Sequence, residues 1–217
     1  MMTQNNIYLE VYHKLLTHFG HQEWWPGESP FEVIVGAVLT QNTSWCNVSK
    51  AICNLKEAGL LNYDSFKMLS VDEIASYIRP SGYYNLKAKR LRNLLDMIEQ
   101  LYFGDLDLFL SDSLGSGRNN LLSVKGVGPE TADSILLYAC QQPTFVIDTY
   151  THRVFSRHQL VDEETDYDSM QDLFLSKLPE DVELFNEYHA LIVRVAAKYC
   201  KKSKPLCSEC PLQGVND

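Results

Sequence analysis

The chain has 217 residues, 45% of them hydrophobic, and a formal net charge of −9 from 19 Lys+Arg against 28 Asp+Glu. That length holds one large domain or two small ones with a sizeable core, and the absence of an apolar run of about 18 residues argues against a membrane-spanning helix. The acidic total excludes a partner held by net charge alone, so an anionic partner would have to be met by local basic patches.

Acidic residues crowd Asp162 to Asp168 and recur at Glu180, Asp181, Glu183 and Glu187. Basic residues gather at Lys87, Lys89, Arg90 and Arg92, and again at Lys198, Lys201, Lys202 and Lys204. Either basic group reads as a solvated helix face or as a polyanion-binding patch. The first residues, MMTQNNIYLEVYHK, lack a basic-then-apolar leader pattern, so a cytoplasmic location is expected.

In chain order, residues 5–19 carry apolar positions at helical spacing and stop at Gly20. The linker HQEWWPGESP places Trp24 and Trp25 side by side, either as caps on the core or as a stacking surface. FEVIVGAVLT, residues 31–40, is apolar enough for a buried helix; Gln41-Asn42-Thr43 breaks it, and Thr43 or Ser44 can cap the next helix, through Leu55. Helices are expected over Tyr63–Leu69, Val71–Ile78 and Asn85–Phe103, with the Pro/Gly turn RPSGYYN presenting Tyr83 and Tyr84 between the last two. Asp105 to Asn120, with its SLGSGRNN stretch, reads as a polar surface connection. Cys46, Cys53 and Cys140 sit in helical, apolar contexts and read as small core residues.

Leu121 to Asp148 carries the most information. An apolar segment ends one helix, Gly126-Val127-Gly128 makes a tight turn, and Pro129 suits the first turn of another. Such a hairpin aims backbone N–H groups outward, as a phosphate site or as a plain glycine turn. The run Phe145-Val146-Ile147 then ends in a carboxylate, Asp148, which can N-cap a helix from Thr149. Further helices are expected over Thr149–Gln159, Asp168–Lys177 and Val182–Tyr199, followed by Cys200-x6-Cys207-x2-Cys210. Three cysteines at that spacing in a cytosolic chain suit a metal site better than disulfides. An iron–sulfur cluster, zinc and three free thiols are all compatible with it.

GVGPETA…VIDT…HRV, together with FEVIVGAVLTQNT, resembles the helix-hairpin-helix DNA glycosylases of the endonuclease III type over nearly the whole chain. The resemblance implies an all-α, two-lobed fold with a central cleft. Residues 25–140 would form a helical barrel domain with the hairpin at 121–139, and residues 1–24 with 141–217 a second lobe ending in the cysteine loop. It implies double-stranded DNA with damaged bases as partner, bound by a monomer. Asp148 would lie beside a flipped nucleotide, with Gln41 entering the duplex and Tyr83 as the wedge. Gly126, Gly128, Lys201, Lys202 and Lys204 would meet the DNA. Cys200, Cys207 and Cys210 would hold a 4Fe–4S cluster whose fourth cysteine position is here Asn216, with Asp217 or water left to complete it.

Within that family, Trp24-Trp25-Pro26, VGAVLTQNT with Trp45, RPSGYYNLKAKRL and a hairpin with Glu130 before ADSILLYAC are similar to the 3-methyladenine DNA glycosylase III branch. There, aromatics at the positions of Trp25 and Trp45 sandwich the alkylated purine, and Trp24 is counted with them in the base pocket. π faces favour such an electron-poor ring. Bifunctional relatives carry a lysine two residues after the position of Gly128, which forms a Schiff base with the sugar; here Glu130 stands there, and Lys125 is the nearby substitute. The expected activity is therefore a monofunctional alkylpurine glycosylase using water. The alternatives are an endonuclease III-like oxidised-pyrimidine glycosylase/AP lyase and a non-catalytic DNA-binding module.

Overall fold

The computed structural model describes residues 6–22, 24 and 27–216. Among these the chain forms twelve α-helices and two short 3-10 turns, with no strand. No helix among them is long and apolar enough to cross a membrane. The chain divides into two compact units: Gly27–Gln142, and Met1–Pro26 taken with Pro143–Asp217.

The Gly27–Gln142 unit is organised on two helices buried almost all round. α2 (Pro30–Leu39) starts on a Ser29 side-chain cap with Pro30 in its first turn, and every residue from Phe31 to Leu39 is buried. α9 (Pro129–Tyr138) buries Thr131 to Tyr138 without a break. Helices this apolar are stable only when wrapped by others. α2 packs on α9, α3 (Trp45–Glu57) and α6 (Tyr84–Leu101). α8 (Leu114–Ser123) approaches α9 closely at Gly117, where an added Cβ would lie 3.1 Å from Leu136 Cδ2. α4 (Tyr63–Phe66), α5 (Val71–Tyr77), a 3-10 turn at Arg79–Ser81 and α7 (Leu106–Leu110) complete the unit. α5 begins on a Ser70/Glu73 capping box and packs along α6.

Two expectations fail here for physical reasons. The segment Asp105–Asn120 is not a surface connection but α7 and most of α8. The Asp105 and Ser113 side chains accept from Leu108 N at 3.0 Å and Ser116 N at 3.3 Å, and such caps offset the poor intrinsic propensity of a Gly/Ser-rich stretch. Cys46 and Cys53 are exposed, and of the expected core trio only Cys140 is buried. The buried face of α3 runs through Val48, Ala51, Ile52 and Leu55, which leaves both cysteines on the outer side.

In the other unit, α1 (Ile7–Phe19) packs on α11 (Tyr167–Lys177) and α12 (Val182–Lys198), and α10 (Thr149–Arg157) packs on α12. Its interior is aromatic. Phe145 stacks on Phe174 with ring centroids 4.1 Å apart, and Phe155, Phe185 and Tyr188 surround the pair. The buried Tyr188 hydroxyl donates to the Tyr8 carbonyl at 2.7 Å, which satisfies the one polar atom that ring brings inside. Phe145, Val146 and Ile147 are all buried in this unit. Truncating Phe145 would cost about 3–5 kcal/mol of stability by typical Phe→Ala losses, and this buried run leads directly into Asp148.

Candidate active site and nucleic-acid interface

Asp148 is the N-cap of α10, in extended backbone conformation. Its Oδ1 accepts from Thr151 N at 2.7 Å and from Thr151 Oγ1 at 2.8 Å, and its Oδ2 lies 3.6 Å from His189 Nε2. Burial of this carboxyl works against ionisation. The His189 imidazole and the Thr151 hydrogen bonds outweigh it and hold the group below its ordinary value. The cap role and the candidate catalytic role thus coexist on one side chain. One oxygen is fixed by α10; the other faces His189.

The hairpin in the Gly27–Gln142 unit is α8, a turn, and α9. Its two glycines differ. Gly126 has φ +101°, and a Cβ there would come within 2.5 Å of Arg90 Cγ. Gly128 is extended, and a Cβ there would meet nothing within 4 Å. The tight turn therefore demands glycine at the first position only. Asn93 Nδ2 donates to the Lys125 carbonyl at 2.9 Å and ties the turn to α6. Between them lies a groove of about 550 Å³ lined by Lys89, Arg90, Lys125 and Gly126. The first-turn amides of α9 add their own positive field, since helix N-termini leave their donors without intrahelical partners.

Gln41 is held against this turn. Its Nε2 donates to the Gly126 carbonyl at 3.1 Å and to Thr131 Oγ1 at 2.9 Å, and its Oε1 accepts from Arg90. Tyr83 is the N-cap residue of α6, 72% exposed, with left-handed backbone at φ 46°. A non-glycine residue in that conformation is strained, and its large aromatic side chain lies in solvent.

The basic stretch of α6 does not form one face. Lys89 and Arg90 reach the groove. Arg92 pairs with Asp96 at 2.8 Å and donates to the Lys67 carbonyl. Lys87 is buried at 1% exposure, its Nζ on the carbonyls of Leu39 at 2.8 Å and Ser81 at 2.7 Å. Burial, reinforced by the Arg90 charge, pushes the Lys87 ammonium down to about 8.

Of the three tryptophans expected in a base pocket, Trp24 lies in the unit with Asp148 and lines a cavity of about 430 Å³ with Tyr12, His21, Asp181 and Glu187. Trp45 opens α3 in the other unit and is half-buried. Trp25 lies outside the described residues. Glu130 occupies the exposed first turn of α9, where a carboxylate is favoured by the helix dipole.

Burial pushes the Cys210 thiol up, and the nearby Cys200 and Cys207 add to it, so the three thiols share one locality. Yet among the described residues no three side chains converge on a metal position. Asn216, at the place of the family's fourth cysteine, spends its amide on the carbonyls of His158 at 3.1 Å and Gln159 at 3.4 Å. Asp217, the other expected ligand, lies outside the described residues. Cys200, Cys207 and Cys210 supply three thiols, one short of a four-thiolate cluster. Arginines of α10 hold the loop. Arg153 donates to Cys200 O at 2.8 Å; Arg157 donates to Lys201 O at 2.7 Å and Lys202 O at 3.0 Å, with Cys200 Sγ at 3.4 Å. Lys201, Lys202 and Lys204 are left exposed.

Sequence reasoning did not single out His189, Thr151, Thr131 or the internal role of Lys87. His189 and Lys87 each lie on the apolar face of their helix at i, i+3 or i+4 from buried residues, and that spacing is the one signal that marks them.

Comparison with known proteins places the chain in a family. Residues 35–180 match the family described as HhH-GPD superfamily base excision DNA repair protein. A putative DNA repair glycosylase of Methanocaldococcus jannaschii is 49% identical over 207 residues, 94% of this chain and 93% of that protein. An endonuclease III of Sulfolobus acidocaldarius is 30% identical over 84% of this chain and 79% of its own length. The crystal structure of H. pylori 3-methyladenine DNA glycosylase bound to 1,N6-ethenoadenine aligns with TM-score 0.77 and 30% identity, covering 88% of this chain and 97% of that one. The chain belongs to the HhH-GPD superfamily of base excision DNA repair glycosylases.

Proposed function

We propose that this glycosylase excises alkylated purines, of the 3-methyladenine and 7-methylguanine type, from duplex DNA by hydrolysis and without strand cleavage. It would act as a monomer in the cytoplasm. The observation that carries the reading is the state of Asp148, a half-buried carboxylate held below its ordinary pKa and aimed by Thr151 and His189. Breaking an N-glycosidic bond builds positive charge on the sugar. A carboxylate with a depressed pKa is a weak proton acceptor but a good fixed negative charge, so it favours electrostatic stabilisation over proton abstraction from water. That division of labour suits bases whose alkylation already weakens the bond. Trp24, Trp25 and Trp45 would stack the extruded base, and the acidic side chains around Trp24 suit a cationic ring. Gln41 and Tyr83 would fill the duplex, at an unstacking cost of about a few kcal/mol per step. The groove at Lys125, with Gly126 and Gly128, and the loop lysines Lys201, Lys202 and Lys204 would take phosphates.

A duplex carrying one 7-methylguanine tests this directly. The expected result is an abasic site that yields a cut strand only after alkali. An uncut strand after alkali would overturn the substrate assignment. A second reading, an endonuclease III-like lyase acting on oxidised pyrimidines, draws on the exposed Lys125 beside Gly126. It requires a borohydride-trapped covalent adduct that disappears in Lys125→Ala.

A further inference from the structure

Lys87 has no part in the reading above, yet it is the only lysine fully buried among the described residues. It sits on the apolar face of α6 beside Ala88, Leu91 and Leu94, where a leucine would fill the same space without desolvating a charge. Its Nζ has no ion-pair partner among the described residues; both its acceptors are backbone carbonyls, of Leu39 and Ser81. Leu39 is the last residue of α2, where the helix leaves carbonyls without intrahelical donors and its dipole is negative. Ser81 ends the 3-10 turn. Two residues beyond Leu39 lies Gln41, and two beyond Ser81 lies Tyr83. The backbone N–H of Lys87 also donates to Tyr83 O at 3.0 Å, so this residue straps the loop at both ends.

We infer that Lys87 is a positioning residue that fixes the take-off points of Gln41 and Tyr83 relative to each other, so that the two tips meet a duplex as one unit. The inference rests on the proposed roles of those two residues in opening DNA. One ammonium serves two chain segments 42 residues apart in sequence, an arrangement no apolar residue reproduces because it would leave both carbonyls orphaned. Neither acceptor is a carboxylate, so the contact is not a salt bridge displaced from the surface.

The test compares Lys87→Met and Lys87→Arg with Leu91→Ala, which loses packing on the same helix and touches neither carbonyl. In the free protein, amide exchange at residues 40–43 and 81–83 should rise about tenfold or more in Lys87→Met, the scale of orphaning buried acceptors, and stay near wild type in Lys87→Arg. Leu91→Ala should leave those amides protected relative to its overall stability. With DNA, Lys87→Met should lose excision from a paired lesion at least about tenfold more than from the same lesion in an unpaired bulge, where little stacking must be broken. Unchanged exchange, or equal losses on paired and bulged lesions, would overturn the inference. Should Lys87→Met not fold, Lys87→Gln, which keeps a donor but lacks the reach, is read the same way. If the wild-type protein excises no base, the functional reading fails, while the exchange experiment still decides the tether.

Discussion

His189 Nε2 stands 3.6 Å from Asp148 Oδ2, on the side of the carboxylate that Thr151 leaves open. The two residues come from different helices of one unit, α12 and the start of α10. Removing the charge at Asp148 while keeping its cap therefore separates chemistry from folding. Asp148→Asn should lower single-turnover excision by about two orders of magnitude or more, the scale of losing one charge-stabilising group at a reacting centre. Stability should fall by less than about 1 kcal/mol, because Asn caps nearly as well as Asp. Chemical denaturation and single-turnover kinetics on one preparation check both halves; an unchanged excision rate would remove Asp148 from the mechanism.

His189 itself predicts a pH effect. The Asp148 carboxyl is depressed in the fold, so its ionised form contributes stability above the unfolded carboxylate range, and that contribution is lost as pH falls through the folded value. His189→Gln removes the main group opposing burial, and the carboxyl moves up. The acid limb of the excision pH profile should shift to higher pH in this variant. A profile superimposable on wild type would show that His189 does not set the state of Asp148.

The two hairpin glycines should behave unequally. Gly126→Ala places a methyl 2.5 Å from Arg90 Cγ at a positive φ, with an expected loss of about 1–3 kcal/mol and weaker DNA binding as Arg90 and Gln41 are displaced. Gly128→Ala, in extended backbone with open space around it, should cost less than about 1 kcal/mol. Thermal melts and duplex affinity of the pair settle the contrast, and a larger effect at position 128 would refute it.

That contrast also shows what the chain discloses about itself. Pro129 and the apolar run after it make α9 legible, and the N-cap at Asp148 follows from a polar residue closing FVI. The identity of the glycine that must be a glycine depends on Arg90, 36 residues earlier in sequence, lying under the turn. The same limit hid Lys87. KAKRLR reads as a basic patch because charge dominates the composition, although the spacing of Lys87 to Leu91 and Leu94 follows the buried stripe. What was not legible was that Arg153, Arg157 and Asn216 already satisfy the carbonyls around them.

Lys87 further predicts an alkaline effect. Its ammonium titrates at about 8 in the fold, below the ordinary lysine value of about 10.4. Between those values the unfolded chain binds more protons than the folded one, so stability from this group rises with pH across that window. Relative to Lys87→Met, the wild-type protein should gain about 1–3 kcal/mol between pH 7 and pH 10 in urea titrations, the Arg90 charge contributing to the difference. Parallel curves for the two proteins would contradict the burial seen for this side chain.

α10 carries the candidate catalytic carboxylate at one end and, through Arg157, the backbone of the lysine loop at the other. It is a nine-residue helix, so it acts as a ruler about 14 Å long. On the proposed reading, that length sets how far along a strand the loop lysines grip from the sugar being cut, roughly four base-pair rises of B-DNA. On that reading, a single rigid helix would register the chemistry to the grip. Adding one residue inside it would turn Arg157 by about 100° and disengage the loop while leaving the Asp148 cap in place.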